Sequence, residues 1–125
     1  MPNSIKVVLA DESATTRLLL ASLLEEDGRF EVIADVSSGA AAIARRADAD
    51  LVVVDLVLED ADAFSVIDDL RAVAPELPVV IVAAVDPPYL RHEAEARGAA
   101  GFFRHTADPT ALLDGLAEVA RGTGA

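Results

Sequence analysis

Three acidic residues stand where apolar runs stop. Leu51-Val52-Val53-Val54 ends in Asp55, and Ile5-Lys6-Val7-Val8-Leu9-Ala10 ends in Asp11-Glu12. A short, continuous, largely β-branched run reads as a strand buried on both faces, the usual state in a parallel sheet. In an open parallel sheet, ligands bind beyond the carboxyl ends of the strands. If the two strands are neighbours, Asp11, Glu12 and Asp55 share one small pocket. Carboxylates crowded in this way raise one another's pKa unless a cation relieves them. Mg2+ suits the task, because it takes one or two carboxylates together with water and a substrate phosphate. A carboxylate beside such an ion can also act as a nucleophile and accept a phosphoryl group as an acyl phosphate. The residues therefore point to Mg2+-assisted phosphoryl transfer onto Asp55. Each acid alone would read as a solvated loop residue; their shared placement at two strand ends carries the argument.

The rest of the chain supplies elements able to hold such a pocket. The first strand covers residues 5–10. A helix follows over 14–26, with Asp11 or Ser13 as cap, a buried face of Leu20, Leu23 and Leu24, and a stop at Asp27-Gly28. Phe30–Ala34 is the second strand, Ser37-Ser38-Gly39 a turn, and Ala40–Ala47 an Ala-rich helix whose Arg45 and Arg46 face solvent. The third strand is 50–55. Asp62 is placed to cap a third helix with Phe64, Ile67 and Leu70 as its core face, ended by Pro75. Pro78–Ala83 is the fourth strand. A fourth helix, with a thin apolar face of Leu90, Ala94 and Ala96, runs from Asp86-Pro87-Pro88 to Arg97-Gly98. Gly101–Arg104 is a short fifth strand. Asp108-Pro109 opens a last helix with apolar residues at 109, 112, 113, 116, 119 and 120, and the chain is expected to fray after it. Five strand–helix alternations with short loops imply right-handed crossovers and a parallel sheet covered on both faces.

Composition narrows the class. At 125 residues the chain is read as one domain, 1–125, and at 53% hydrophobic it can build a full core. Its net charge of −12 opposes binding to nucleic acid or anionic lipid. With no cysteine, disulfides and thiolate metal sites are excluded. No apolar run approaches the ~20 residues of a membrane span, and no signal-peptide pattern precedes the first strand. The expectation is a soluble, cytoplasmic protein that contacts neither membrane nor nucleic acid.

The motifs Leu9-Ala10-Asp11-Glu12, Arg17, Val54-Asp55-Leu56, Pro78-Val79-Val80, Gly98-Ala99-Ala100-Gly101-Phe102 and Ala107-Asp108-Pro109 with Leu112-Leu113 occur in that order and spacing over essentially the whole chain. The chain resembles a response-regulator receiver domain. Gly28–Val32 and Gly98–Phe102 are most similar to receivers of LuxR-type DNA-binding regulators. The resemblance implies a flavodoxin-like (βα)5 doubly wound parallel sheet of strand order 2-1-3-4-5. It implies phosphorylation at Asp55, and Mg2+ held by Asp11 and Asp55, by Glu12 through water, and by the backbone carbonyl of Val57. Other phosphate chemistry fits less well. A haloacid-dehalogenase-type phosphatase needs an aspartate where Val57 stands; a nucleotide-binding loop after the first strand would find hydroxyls at Ser13, Thr15 and Thr16 but no glycine, and Asp11-Glu12 would repel its phosphate.

The departures from the family pattern decide the expected mechanism. The hydroxyl residue at the end of the fourth strand is replaced by Ala83, with Ala84 next. The lysine at the end of the fifth strand is replaced by His105. Arg104 should point the other way by strand alternation, and the only lysine, Lys6, lies at the wrong end of the sheet. The usual Pro and Gly after the phosphorylation site are Glu59 and Ala63, and Glu59 and Asp60 are expected to add negative potential. Phe102 takes the place of the aromatic that changes rotamer on activation, and reads here as a packed core ring. A phosphoryl group brings about −2 charge, so a pocket without its hydroxyl donor and fixed cation should stabilise it less well. The reading is an atypical receiver that is not an enzyme. It would act as an interaction or homodimerisation module through the fourth helix, fifth strand and fifth helix, controlling an output domain, DNA-binding by the LuxR-type resemblance, beyond residue 125. The alternative is a working phosphoreceiver, phosphorylated on Asp55 by a histidine kinase with Mg2+ and an altered switch.

Overall fold

The computed structural model describes residues 4–105 and 108–122; of the expected fray over 122–125, Gly122 is the hydrogen-bonded end of the last helix, while 123–125, like Ala107 of the closing motif, lie outside the described residues. The elements run β1 Ile5–Ala10, α1 Ala14–Asp27, β2 Phe30–Val36, α2 Gly39–Ala44, β3 Leu51–Val54, α3 Ala63–Val73, β4 Val79–Ala83, α4 Pro88–Ala96, β5 Gly101–Arg104 and α5 Pro109–Arg121. The strands form one parallel sheet in the order β2-β1-β3-β4-β5, the flavodoxin-like arrangement that the resemblance implies.

Strand periodicity divides the core. Val8 and Ala10 of β1, Val52 and Val54 of β3, and Ile81 of β4 face α2, α3 and α4, where they meet Ile67 and Leu70. Val7, Leu9, Val53 and Val82 face the other way, onto Leu20 and Leu24 of α1 and Leu116 of α5. Every residue of β3 and β4 is buried, as a sheet covered on both faces requires.

The helix ends obey local chemistry. Ser13 Oγ accepts from Thr16 N at 3.2 Å at the start of α1, and Asp62 accepts from Ser65 N at 2.9 Å at the start of α3. Asp108 accepts from Thr110 N at 3.0 Å, with Pro109 opening α5. Gly28 ends α1 at φ 92°, a left-handed position that favours glycine.

Several elements differ from their sequence reading. α2 is shorter than 40–47, because the chain tightens into a 3-10 turn over Arg46–Asp48 on its way to β3. Arg45 is exposed and Arg46 half-buried. Each caps a carbonyl, Ile33 O at 3.1 Å and Ile43 O at 2.8 Å respectively. β2 continues to Val36, since a register shift between Val7 and Val8 absorbs one residue and pairing then resumes to Ala10. The core face of α3 is Ala63, Val66, Ile67 and Leu70. Phe64 lies on its shoulder, half-buried, with the Arg97 guanidinium 5.3 Å from its ring centroid.

One tertiary clamp has no local sequence signal. The Asp60 carboxylate, in the loop after β3, accepts from Gly39 N at 2.7 Å and Ala40 N at 3.1 Å at the start of α2. These bonds lower the Asp60 pKa below the ordinary carboxylate value. Gly39 is packed so closely that a Cβ there would lie 2.7 Å from Val66 Cγ2. A Gly39→Ala substitution should therefore overpack the α2–α3 contact and cost about 1–3 kcal/mol, read as a lower urea midpoint at unchanged m-value.

Candidate functional site

Parallel pairing brings the acids together. Ala10 lies opposite Val54 in the β1–β3 ladder, and Asp55 N donates to Ala10 O at 2.9 Å. Asp11 N donates to Val36 O at 3.0 Å. Asp11 and Asp55 thus leave adjacent strand ends on fixed backbone. His105 N donates to Ala83 O at 2.8 Å, which places the imidazole over the same edge from β5. One ligating atom from each of Asp11, Asp55 and His105 lies within 4.8 Å of the others.

Asp11 is 3% exposed, the one buried charged residue among the described residues. Burial raises its pKa above the ordinary 3.8, the Ser13 amide opposes the rise, and the nearby Asp55 charge adds to it. Ser13 N donates to Asp11 Oδ1 at 2.8 Å. Arg17 does not neutralise this carboxylate directly. Its Nη1 donates to the Asp11 carbonyl at 2.6 Å, and its Nε lies 3.5 Å from Asp35 Oδ1.

Asp55 and His105 face each other with Nε2 3.9 Å from Oδ1 and side chains 24% and 23% exposed. That is an ion-pair distance, too long for a good hydrogen bond. His105 has its pKa raised above 6.5, first by attraction to Asp55; burial opposes the rise, and Asp11 and the Val82 carbonyl add to it. The two carboxylates thus hold the ring charged over more of the neutral range than a free histidine.

The other expected positions separate. Glu12 is exposed and lines the cleft above the acids. Val57 forms an isolated antiparallel bridge with Asp62. The flanking bonds Leu58 N to Ala61 O and Ala63 N to Leu56 O make that bridge, and among the described residues the Val57 carbonyl takes no hydrogen bond. Ala83 is buried in the core beside Phe102, whereas Ala84 lines the cleft. Phe102 is 8% exposed, with the Arg91 guanidinium 5.3 Å from its ring centroid. Arg91 is held by Asp86 at 2.9 Å, and Arg104, which points away from the acids, lies 3.8 Å from the same carboxylate. Glu59 and Asp60 do not line the cleft; Glu59 accepts from the Ser37 hydroxyl at 2.6 Å, and Asp60 caps α2.

The cleft over the acids has a volume of about 640 Å³ and continues along α1 past Leu19 and Leu23. Leu23, expected in the buried face of α1, is half-buried and walls the cleft together with the exposed Leu19 one turn before it. A hollow of about 810 Å³ lies at the opposite edge of the sheet, lined in part by Arg46, Asp50 and Arg121. It is larger but lacks the ligating trio: among the described residues only Asp11, Asp55 and His105 form a group of three.

The sequence matches the family model for the response regulator receiver domain over residues 7–117. The chain belongs to the response-regulator receiver family. It is 29% identical over 124 residues to a nitrate/nitrite response regulator protein homolog of Haemophilus influenzae, covering 98% of this chain and 60% of that protein. It is also 29% identical to the probable transcriptional regulatory protein SgaR of Hyphomicrobium methylovorum, covering 98% and 59%. The receiver thus spans about three-fifths of these relatives. The signal receiver domain of the response regulator NarL from Mycobacterium tuberculosis superposes with a TM-score of 0.90 at 24% identity, covering 97% and 99% of the two chains. Among the described residues, no helix is long and apolar enough to cross a membrane.

The His105–Asp55 geometry has a definite pH signature. A folded-state pKa raised above the unfolded value contributes stability that is fully present below about 6.5 and is lost as pH rises through the folded pKa. An NMR titration should place the His105 midpoint above 6.5, and Asp55→Asn should move it down.

Proposed function

We propose that this receiver keeps its acidic pocket and its phosphoacceptor position, Asp55, but lacks the groups that read phosphorylation out. It then acts chiefly as an interaction or dimerisation module for an output domain. One observation carries this reading: an imidazole, not an ammonium, stands 3.9 Å from Asp55, and the end of β4 offers Ala83 and Ala84 with no hydroxyl.

The chemistry at Asp55 is phosphoryl transfer. A carboxylate oxygen forms the new O–P bond as the bond from phosphorus to the donor breaks, and the donor's leaving group keeps the electron pair. A divalent cation, when bound, screens the carboxylates from the incoming phosphate. Asp11 and Asp55 would hold it directly, Glu12 through water, and Val57 through its carbonyl, whose lone pairs are uncommitted. The product brings about −2 charge into a pocket where, among the described residues, His105 is the one cation facing Asp55 and the end of β4 supplies no hydroxyl. Phe102 already lies inward beneath Arg91, and Arg91 is tied to Asp86. Nothing at Ala83 can draw the β4–α4 loop toward a phosphoryl oxygen. The face of α4, β5 and α5 is therefore set without phosphate, and Tyr89, 72% exposed on α4, offers it an apolar anchor for a second copy. The relatives' greater length supports an output domain following residue 125.

A second reading is favoured by the raised His105 pKa. A protonated imidazole beside Asp55 can partly replace the missing ammonium, and the module would then be a working phosphoreceiver for a histidine kinase.

Intact mass after incubation with Mg2+ and acetyl phosphate separates the two readings. Any adduct should be absent from Asp55→Asn, and its occupancy should rise about tenfold or more when Ala83→Thr and His105→Lys restore a hydroxyl donor and a fixed cation. Wild-type occupancy and lifetime equal to those of the double variant would favour the phosphoreceiver.

A further inference from the structure

A lysine ammonium at the end of β5 has no lone pair to give a metal ion, whereas a histidine nitrogen can ligate one. The pocket combines two carboxylates with an imidazole nitrogen, each on a separate strand end fixed by a backbone hydrogen bond: Asp11 to Val36, Asp55 to Ala10, and His105 to Ala83. Asp11 is almost fully buried, and its Oδ2 accepts no hydrogen bond among the described residues. The Arg17 Nη1 donates to the Asp11 carbonyl rather than to either carboxylate of the trio, and its Nε lies 3.5 Å from Asp35 Oδ1 without a hydrogen-bond partner among the described residues. The trio therefore holds one buried carboxylate with spare lone pairs, a second carboxylate, and a nitrogen donor, with no lysine or arginine seated on it.

The donor set discriminates among ions. Mg2+ demands oxygen ligands in near-ideal octahedral geometry and gives up water reluctantly. Imidazole suits Zn2+ and the first-row transition ions. Three protein ligands with an open position are the usual arrangement of an accessible zinc site. A four-coordinate ion at about 2.1 Å from its ligands spaces them roughly 3.4 Å apart. The three ligating atoms here lie within 4.8 Å of one another, and Nε2 to Oδ1 is 3.9 Å. Small side-chain rotations close that difference, and the part-exposed Asp55 and His105 are free to make them. The cleft opens the site to solvent, so an ion held there exchanges.

We propose that Asp11, Asp55 and His105 form a binding site for an exchangeable transition-series divalent cation of the Zn2+ class, in preference to Mg2+. The inference deepens the reading in which something other than phosphate sets the state of this module. It adds an imidazole ligand to the two carboxylates, in a place where the family has an ammonium that cannot ligate. It does not depend on Asp55 accepting phosphate, and its test contains no phosphodonor.

The experiment titrates the metal-free chain with Co2+, followed by visible absorption, with Zn2+ and then Mg2+ as competitors. Paramagnetic broadening of the two imidazoles is followed on the wild-type protein. One Co2+ per chain should bind, Zn2+ should displace it, and a large excess of Mg2+ should not. His105→Lys should weaken Co2+ binding by about tenfold or more, while His92→Ala, on the exposed face of α4, should leave it unchanged. The His105 ring should broaden before that of His92. Circular dichroism confirms that His105→Lys is folded; if it is not, the wild-type broadening order alone decides. Binding unaffected by His105→Lys, displacement of Co2+ by equimolar Mg2+, or earlier broadening of His92 would each overturn the proposal. Because phosphorylation is read separately by mass, loss of this site and loss of Asp55 reactivity are distinguishable.

Discussion

The β1–β3 register is the constraint on which this molecule depends. By setting Ala10 against Val54 it forces two aspartates to leave the sheet side by side, one buried and one half-exposed. Nothing in packing asks for that arrangement. A buried carboxylate without an ion pair costs stability, and the raised pKa of Asp11 records the cost. The surrounding structure limits the penalty through the Ser13 amide, the Arg17 guanidinium on the neighbouring carbonyl, and the His105 ring. A site that is strained electrostatically yet placed by rigid backbone fits a function in binding charge.

His105 changes what such a site can bind and report. A lysine there would be a permanent cation with a flexible reach. An imidazole is shorter, planar, switchable in charge near neutral pH, and able to donate a lone pair when neutral. In the proposed reading Ala83 acts in the same direction, because a methyl group there gives a phosphoryl oxygen no donor by which to draw in the β4–α4 loop. On the far side of that loop, Arg91 covers Phe102 and is anchored by Asp86, which also attracts Arg104. The surface of α4 and β5 thus carries ring and ion-pair contacts of its own, which the proposed reading takes to hold it independently of Asp55.

The parts legible in the sequence are those with local causes. Buried strands announced themselves as apolar runs, caps as Ser13, Asp62 and Asp108, and the opposite directions of Arg104 and His105 followed from strand alternation. The pairing of Asp11 with Asp55 could be expected because both end such runs. The Asp60 clamp could not: its partners lie about twenty residues away at the start of α2, and no local pattern links them. For the same reason Glu59 and Asp60 read as extra charge near the pocket, when the structure commits both to the β2–α2 turn. The spacing of Phe64, Ile67 and Leu70 marks the inward side of α3, but the fully buried face is Ala63, Val66, Ile67 and Leu70, with Phe64 packed half-buried against its edge. The extension of β2 was hidden by a register shift that no composition signal marks.

The central claim is that the pocket and the α4–β5 surface are uncoupled. Backbone amide NMR spectra recorded with and without a phosphodonor and Mg2+ test it most directly. The account predicts that amides near Asp11, Asp55, Ala84 and His105 respond, while those of Pro88–Ala96 and Gly101–Arg104 stay in place. Coherent shifts through Phe102 and α4 on phosphodonor addition would contradict it.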